Sequence, residues 1–175
     1  MRVAQSMNLF FLRHAKACAR SRKWRPDSTR PLTRDGEKKM FEAARGMQTL
    51  GLSFDLILTS PSIRAFRTAE ILGEVFSSKK IFETRNLLPE AAPKGIVDEI
   101  NENFTTLKHI LLVGHEPSLT RLISILLTGK DTVAIELRKG GLCKLSVKNL
   151  SFGLCASLEW LTTPRQLARM ARGKS

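Results

Sequence analysis

The chain has 175 residues, of which 42% are hydrophobic and 26% charged, a composition typical of a globular protein and not of a disordered one. Its 29 basic residues exceed its 16 acidic residues and give a net charge of +13, which favours anionic partners such as phosphorylated groups, acidic proteins or nucleic acid. No apolar run reaches the ~20 residues of a membrane span, and three cysteines without CxxC spacing argue against a disulfide framework or a zinc site. We therefore expect a cytoplasmic protein with no membrane partner.

The first predicted elements are a strand, a long loop and a helix. The apolar run LFFL predicts a buried strand that begins at Met7 and ends at Arg13. Residues 15–32 have no clean period and contain two prolines, which predicts a long loop of the kind that is usually functional or mobile. Thr33 is predicted to cap a helix whose apolar residues recur at helical spacing.

Downstream of this helix, short apolar runs that predict strands alternate with segments of helical periodicity. In chain order the strands are FDLILTS, KKIFE, KHILLVG and TVAIEL, and the helices begin at Pro61, Ile96 and Pro117. Two segments of alternating polarity, GGLCKLSVKN and FGLCASLEWL, predict a closing hairpin. The pattern predicts a three-layer α/β/α fold, with a mostly parallel central sheet and a C-terminal antiparallel hairpin at its edge.

The domain boundaries follow the same pattern. We expect residues 7–163 to form a single domain, with a flexible extension at residues 1–6 and a basic tail at residues 164–175. The tail holds four basic residues and no acid, and residues 13–45 hold 11 basic and 4 acidic residues, a net of +7. These two segments therefore carry 11 of the 13 excess positive charges.

Cation-bearing side chains follow three of the predicted strands at their carboxyl ends, where open α/β sheets bind ligands. Arg13 and His14 follow the first strand, Arg64 lies near the start of the helix after the second strand, and His115 follows the fourth. A single histidine at a strand end is usually structural, but two histidines beside arginines indicate a site. Catalytic zinc needs three protein ligands, and the nearby arginines would repel a cation, so we expect no metal and no cofactor.

Four segments resemble a known family. FFLRHAK, TSPSIRAFRTAEIL and LLVGHEPSL resemble, in order and spacing, the three signature blocks of the histidine phosphatase superfamily. TRPLTRDGEKKM is similar to a fourth block found in its short branch, the SixA-like phosphohistidine phosphatases. The resemblance spans roughly residues 8–163 and implies a phosphoglycerate-mutase-like fold and a metal-free phosphatase with a covalent phosphohistidine intermediate.

The resemblance also implies roles for individual residues. His14 would be the nucleophile, Arg13, Arg30 and Arg64 would bind the phosphate, and His115 would be the second histidine of the pocket. The residue types suit this chemistry, because a neutral imidazole can attack phosphorus and an arginine fork binds phosphate in a bidentate way. We expect the arginines to lower the pKa of His14 and keep its ring nitrogen available.

Two positions depart from the pattern of the superfamily. Ala15 stands where the superfamily usually has glycine after the Arg-His pair. Glu90, in LLPEA, lies in the region from which larger relatives supply a general acid, although we favour its interpretation as a solvated loop carboxylate. The SixA-like branch works without such an acid, because the phosphoramidate bond of its substrate is labile. The role of Glu90 therefore distinguishes the two substrate classes. A general acid at this position would favour an ordinary phosphate ester, and a solvated carboxylate would favour an N-phosphorylated protein.

Three functions follow from these observations. The first is hydrolysis of phosphohistidine in a phosphorylated protein domain, which we favour. The second is a small-molecule phosphomonoesterase of the same superfamily, which the lack of an inserted cap disfavours. The third is a basic nucleic-acid-binding protein, which the charge permits but no RNP, KH or helix-turn-helix pattern supports.

Overall fold

The computed structural model describes residues 6–78 and 80–172. Residues 1–5 of the predicted extension and the last three residues of the predicted tail lie outside the described residues. The strands are β1 (Met7–Arg13), β2 (Leu56–Thr59), β3 (Ile81–Glu83), β4 (His109–Gly114), β5 (Leu142–Val147) and β6 (Ala156–Thr162). The helices are α1 (Arg34–Thr49), α2 (Ile63–Phe76), α3 (Pro93–Asn103), α4 (Ser118–Thr128) and α5 (Pro164–Arg172).

The strands form one sheet in the order β3-β2-β4-β1-β5-β6. The pairs β3-β2, β2-β4 and β4-β1 are parallel, whereas β5 runs antiparallel to both β1 and β6. The predicted mostly parallel sheet with an antiparallel hairpin at one edge is therefore confirmed.

Helices cover both faces of the sheet, which explains why LFFL is apolar throughout. Side chains of β1 alternate between the faces, with Leu9 and Phe11 in one core cluster and Phe10 and Leu12 in the other. The first cluster is completed by α3 and α4, and the second by α1, α2 and α5. All four residues of LFFL are almost fully buried, so the end of β1 is held rigidly on both sides.

One predicted strand is wrong. The segment TVAIEL, residues 132–137, is irregular, and of its side chains only Leu137 is buried. Both edges of β1 are already paired, with β4 and with β5, so this apolar alternation finds no place in the sheet beside β1. The segment instead runs past the end of β1, where the carbonyl of Leu137 accepts a hydrogen bond from Nη1 of Arg13 at 3.0 Å.

Helix starts are confirmed to within a few residues. The Thr33 hydroxyl accepts a hydrogen bond from the Gly36 amide and caps α1 as predicted. The second helix begins at Ile63, two residues after Pro61, because Ser62 holds the extended N-cap conformation. The predicted short helix after the third strand begins earlier than expected, with Pro93 in its first turn.

Residues 164–172 of the basic C-terminal segment form α5, which packs against α1. Leu167 is fully buried, and a side chain at Gly46 of α1 would lie only 1.8 Å from the Leu167 carbonyl oxygen. Glycine at position 46 therefore permits the close approach of the two helices. Among the described helices, none has the length and apolar character needed to cross a bilayer.

Candidate active site

The residues singled out in the sequence meet at the carboxyl edge of the sheet. Parallel pairing of β1 with β4 places Arg13 beside Gly114, so His14 and His115 emerge next to each other. Their ring centroids are 5.0 Å apart. Both histidines line a cavity of about 380 Å³ together with Arg13, Arg30 and Arg64.

Hydrogen bonds define which nitrogen of His14 carries the proton. Nδ1 lies 2.7 Å from the carbonyl oxygen of Ala15, an acceptor, so Nδ1 must be the protonated nitrogen. Nε2 then keeps its lone pair and accepts a hydrogen bond from Nε of Arg64 at 3.3 Å. An unprotonated ring nitrogen thus lies beside a guanidinium group, inside the cavity.

Burial keeps both rings neutral. It is the largest cause that lowers the pKa of His14 to about 3; the hydrogen bond to Ala15 opposes the shift, and the charges of Arg64, Arg13 and Arg30 add to it. The pKa of His115 also falls to about 3, mainly through burial and then through His14 and Arg64. The direction predicted for His14 is right, but desolvation contributes more than the arginines do.

His115 is held by a serine that follows β2. Its Nε2 lies 2.9 Å from Oγ of Ser60, and Oγ of Ser60 lies 3.3 Å from Oγ of Ser62. All three side chains are nearly inaccessible to solvent. Nδ1 of His115 is buried and has no hydrogen-bond partner among the described residues.

A carboxylate that the sequence did not identify binds the arginines. Asp27, in a short 3-10 helix (Asp27–Thr29) of the long loop, accepts hydrogen bonds from Nε and Nη2 of Arg30 at 3.0 and 3.2 Å. Its Oδ2 also lies 3.1 Å from Nη2 of Arg64. The hydrogen bond from Arg30 is the main cause that lowers the pKa of Asp27 below its usual range. The only sequence signal was its place in a loop predicted to be functional.

The two glutamates near the site differ in environment. Glu90 is exposed and lines an adjoining cavity of about 510 Å³, which shares Asp27 and Arg64 with the first cavity. Glu116, which the sequence did not single out, is half-buried and lines the cavity of His14. Burial raises the pKa of Glu116, and the Thr120 hydroxyl donates a hydrogen bond to its Oε2. A neutral Glu116 would not repel an anion in the cavity.

No three histidine, cysteine or acidic side chains within residues 6–78 and 80–172 lie close enough together to hold a metal ion.

The buried histidines predict a pH dependence of stability. Their folded-state pKa of about 3 lies below the unfolded value near ~6.5, so the unfolded chain binds more protons between these two values. The free energy of unfolding should therefore fall as pH decreases from 7.5 to 5.5, by about 1.4 kcal/mol for each histidine. Denaturant titrations at the two pH values measure this loss.

The variants His14→Asn and His115→Asn should each remove about half of this pH dependence. The matched control is His109→Asn, which removes the histidine at the opposite end of β4, outside the cavity. If the two cavity variants lose as much stability on acidification as the wild type does, the histidines are not buried in the neutral form.

Comparisons with known proteins agree with this geometry. The family model of the histidine phosphatase superfamily (branch 1) matches residues 9–91. An uncharacterized protein of Picosynechococcus sp. is 33% identical over 142 residues, which cover 79% of this chain and 84% of that protein. The phosphohistidine phosphatase SixA of Escherichia coli is 27% identical over 129 residues, which cover 71% of this chain and 76% of SixA.

Solved structures share the fold over almost the whole chain. The structure of the protein histidine phosphatase SixA complexed with tungstate aligns with a TM-score of 0.80 and 20% identity, covering 92% of this chain and 99% of the other. A mycobacterial glucosyl-3-phosphoglycerate phosphatase aligns with a TM-score of 0.68 and 15% identity, covering 91% and 100%. With these matches added to the signature blocks, the chain belongs to the histidine phosphatase superfamily, and it is similar in sequence and fold to SixA.

Proposed function

We propose that this phosphatase hydrolyses phosphohistidine in a phosphorylated protein domain, through a phosphoryl group carried on Nε2 of His14. The observation that carries the proposal is the state of His14, a buried neutral ring whose Nε2 accepts a hydrogen bond from a guanidinium group. A nucleophile whose attacking nitrogen is already unprotonated at neutral pH needs no base to activate it.

The proposed reaction has two transfers. In the first, the lone pair of His14 Nε2 attacks phosphorus, the P–N bond of the substrate breaks, and the leaving imidazole takes a proton from solvent. In the second, water attacks the phosphorylated His14 and releases inorganic phosphate and the neutral ring. Arg13, Arg30 and Arg64 stabilise the charge that spreads over the phosphoryl oxygens in both steps. His115, whose ring lies beside His14 in the same cavity, completes the pocket around the phosphoryl group.

The choice of a nitrogen-linked phosphate rests on Asp27, the carboxyl group in contact with the arginines proposed to bind phosphate. An alcohol is a poor leaving group without a general acid, whose help is worth about 10²–10⁴-fold, whereas an imidazole leaves more easily. Asp27 is ionised and bound by arginines, so it is a poor proton donor. The curated relative from Escherichia coli is named a phosphohistidine phosphatase, which supports the same substrate class.

A protein substrate is further supported by the charge around the cavity. Arg20, Arg22, Lys23 and Arg25 are exposed on the long loop next to it, and Arg20 itself lines both cavities. Such a positive rim would accelerate the approach of an acidic phosphoprotein and lose this effect at high salt.

A small-molecule phosphomonoesterase is the second candidate, and the position of Glu90 favours it. The exposed carboxyl group lines the cavity that adjoins the first one at Arg64, where an alcohol leaving group would lie. A mycobacterial phosphatase named for glucosyl-3-phosphoglycerate has the same fold.

Relative turnover of three classes of substrate separates the two candidates. We expect the purified protein to hydrolyse a histidine-phosphorylated protein domain and phosphoramidate faster than a panel of phosphomonoesters, as measured by phosphate release. Glu90→Gln should leave these rates within about threefold, because an imidazole leaving group needs little acid help. Glu102→Gln, an exposed acid on α3, is the matched control. If the protein instead hydrolyses phosphomonoesters fastest, and only Glu90→Gln abolishes this activity, the second candidate is established.

A further inference from the structure

Asp27 contacts three arginines at the site, although the proposed reaction gives it no role. Its carboxylate receives the Nε and Nη2 donors of Arg30 and lies 3.1 Å from Nη2 of Arg64 and 3.6 Å from Nε of Arg20. Its backbone carbonyl accepts a further hydrogen bond, at 2.8 Å, from Nη1 of Arg64. One residue of the loop therefore binds both of the buried arginines proposed to hold phosphate.

These contacts use the donors that phosphate would use. The Nε and Nη2 groups form the flat fork with which arginine binds carboxylates and phosphates in a bidentate way. In Arg30 this fork faces Asp27, and Nη1 donates to the carbonyl of Cys18 at 2.9 Å. In Arg64 each of the three guanidinium nitrogens has a partner, either Asp27 or His14. A phosphoryl group that binds to the fork of Arg30 or to these donors of Arg64 therefore competes with Asp27.

The same contacts also keep the arginines aligned. Arg30 is 9% exposed and Arg64 is 4% exposed, so two buried positive charges lie in one cavity and repel each other in the absence of an anion. The carboxylate of Asp27, with a side-chain exposure of 43%, reaches from the mouth of the cavity and offsets this repulsion. It thereby holds Arg64 at hydrogen-bonding distance from Nε2 of His14.

We propose that Asp27 is a positioning residue and an internal competitor for phosphate. When the cavity is empty, its carboxylate holds Arg30 and Arg64 in place, and after hydrolysis it reclaims them and favours the departure of inorganic phosphate. The inference rests on the proposed function, because it assumes that the phosphoryl group binds to these two arginines.

The test separates affinity from turnover. Asp27→Asn keeps the size of the side chain and an oxygen acceptor but removes the negative charge. We expect it to bind inorganic phosphate about tenfold more tightly than wild type, the scale of one charge interaction at a partly exposed site, by calorimetry. Its kcat and KM should both fall, because phosphate leaves more slowly and Arg64 is less well aligned. A residue with only a structural role would lower kcat and weaken phosphate binding together.

Three variants complete the design. Asp27→Glu keeps the charge and should bind phosphate within about threefold of the wild-type affinity. Asp98→Asn removes the acid of an exposed ion pair with Lys94, and it should change neither the affinity for phosphate nor the kinetic constants. Asp27→Ser, which also removes the charge and keeps an oxygen acceptor, replaces Asp27→Asn if the latter has lost its melting transition.

Phosphate binding that is unchanged or weaker in the charge-removing variant would overturn the inference, as would the absence of phosphate binding in every variant. Because binding is measured without turnover, this result is independent of the substrate panel. A protein that shows the expected affinities but hydrolyses no phosphohistidine would reject the proposed function and leave the role of Asp27 intact.

Discussion

Replacement of His14 by alanine should lower kcat by at least about 10⁴-fold, the scale on which enzymes lose activity when a covalent nucleophile is removed. The side chain is buried, its Nδ1 is fixed by the Ala15 carbonyl, and its Nε2 is the unprotonated nitrogen beside Arg64. Loss of this atom removes the acceptor of the phosphoryl group, and no other histidine can take its place without a change in geometry. Phosphate release from a histidine-phosphorylated domain measures the effect.

The matched control for this change is His109→Ala, because His109 lies at the start of β4, at the opposite end of the strand from His115. It should retain activity within about threefold of wild type. A His14→Ala enzyme that keeps more than about a hundredth of the wild-type rate would show that another group accepts the phosphoryl group, or that water attacks the substrate directly.

Replacement of Arg64 by alanine should lower kcat/KM by about 10³-fold, in the range seen when an arginine that stabilises a phosphoryl transition state is removed. Arg64 is 4% exposed and contacts both His14 and Asp27, so its loss removes a charge from the cavity and releases both neighbours. Arg64→Lys should recover less than a tenth of the lost activity, because an ammonium group cannot reproduce the planar fork.

Arg67→Ala is the control for Arg64, since Arg67 lies on the same helix and carries the same charge. Its guanidinium pairs with Glu37 and Glu74 outside the cavity of His14, so we expect kcat/KM within about threefold of wild type. Melting temperatures of all three variants distinguish a loss of chemistry from a loss of folding. Equal effects of Arg64→Ala and Arg67→Ala, or full activity of Arg64→Lys, would contradict the role given to Arg64.

The fold was predictable from the sequence where the hydrophobic pattern of a segment matches the position that the segment takes in the sheet. The run LFFL is typical of a strand buried on both faces, and it lies in the last of the four parallel strands, next to the hairpin. The failure at TVAIEL has a physical cause, because its alternation suits a strand but neither edge of β1 remains unpaired beside it. Local alternation carries no information about whether a neighbouring edge is available.

The site was predictable in part for a similar reason. Arg13, His14 and His115 stand at strand ends, so the sheet alone brings them together. Asp27 reaches Arg64 across 37 positions of the chain, and its partner Arg30 is fixed by a loop whose ends are joined by a bridge between Ala17 and Leu32. Irregular loop geometry has no period, so the sequence could not show that this acid would lie among the arginines.

The cause of the low pKa of His14 was only partly predictable from the sequence. A sequence that places arginines near a histidine predicts a lowered pKa, and the structure agrees in direction. The larger contribution comes from burial, which depends on how loop and helices close over the ring and is visible only in three dimensions. This distinction has a consequence for experiment, because removal of one arginine should leave the His14 ring neutral at pH 7.

The most direct test of the account is to find the phosphoryl group on the enzyme. Wild-type protein is mixed with an excess of a histidine-phosphorylated domain, quenched within milliseconds in alkali, in which phosphohistidine is stable, and digested for mass spectrometry. We predict one phosphorylated residue, His14, whose label is absent from His14→Ala and increases in any variant that slows the second transfer. Substrate that disappears while no residue is labelled, or a label on His115 or on another side chain, would contradict the proposal that His14 carries the phosphoryl group.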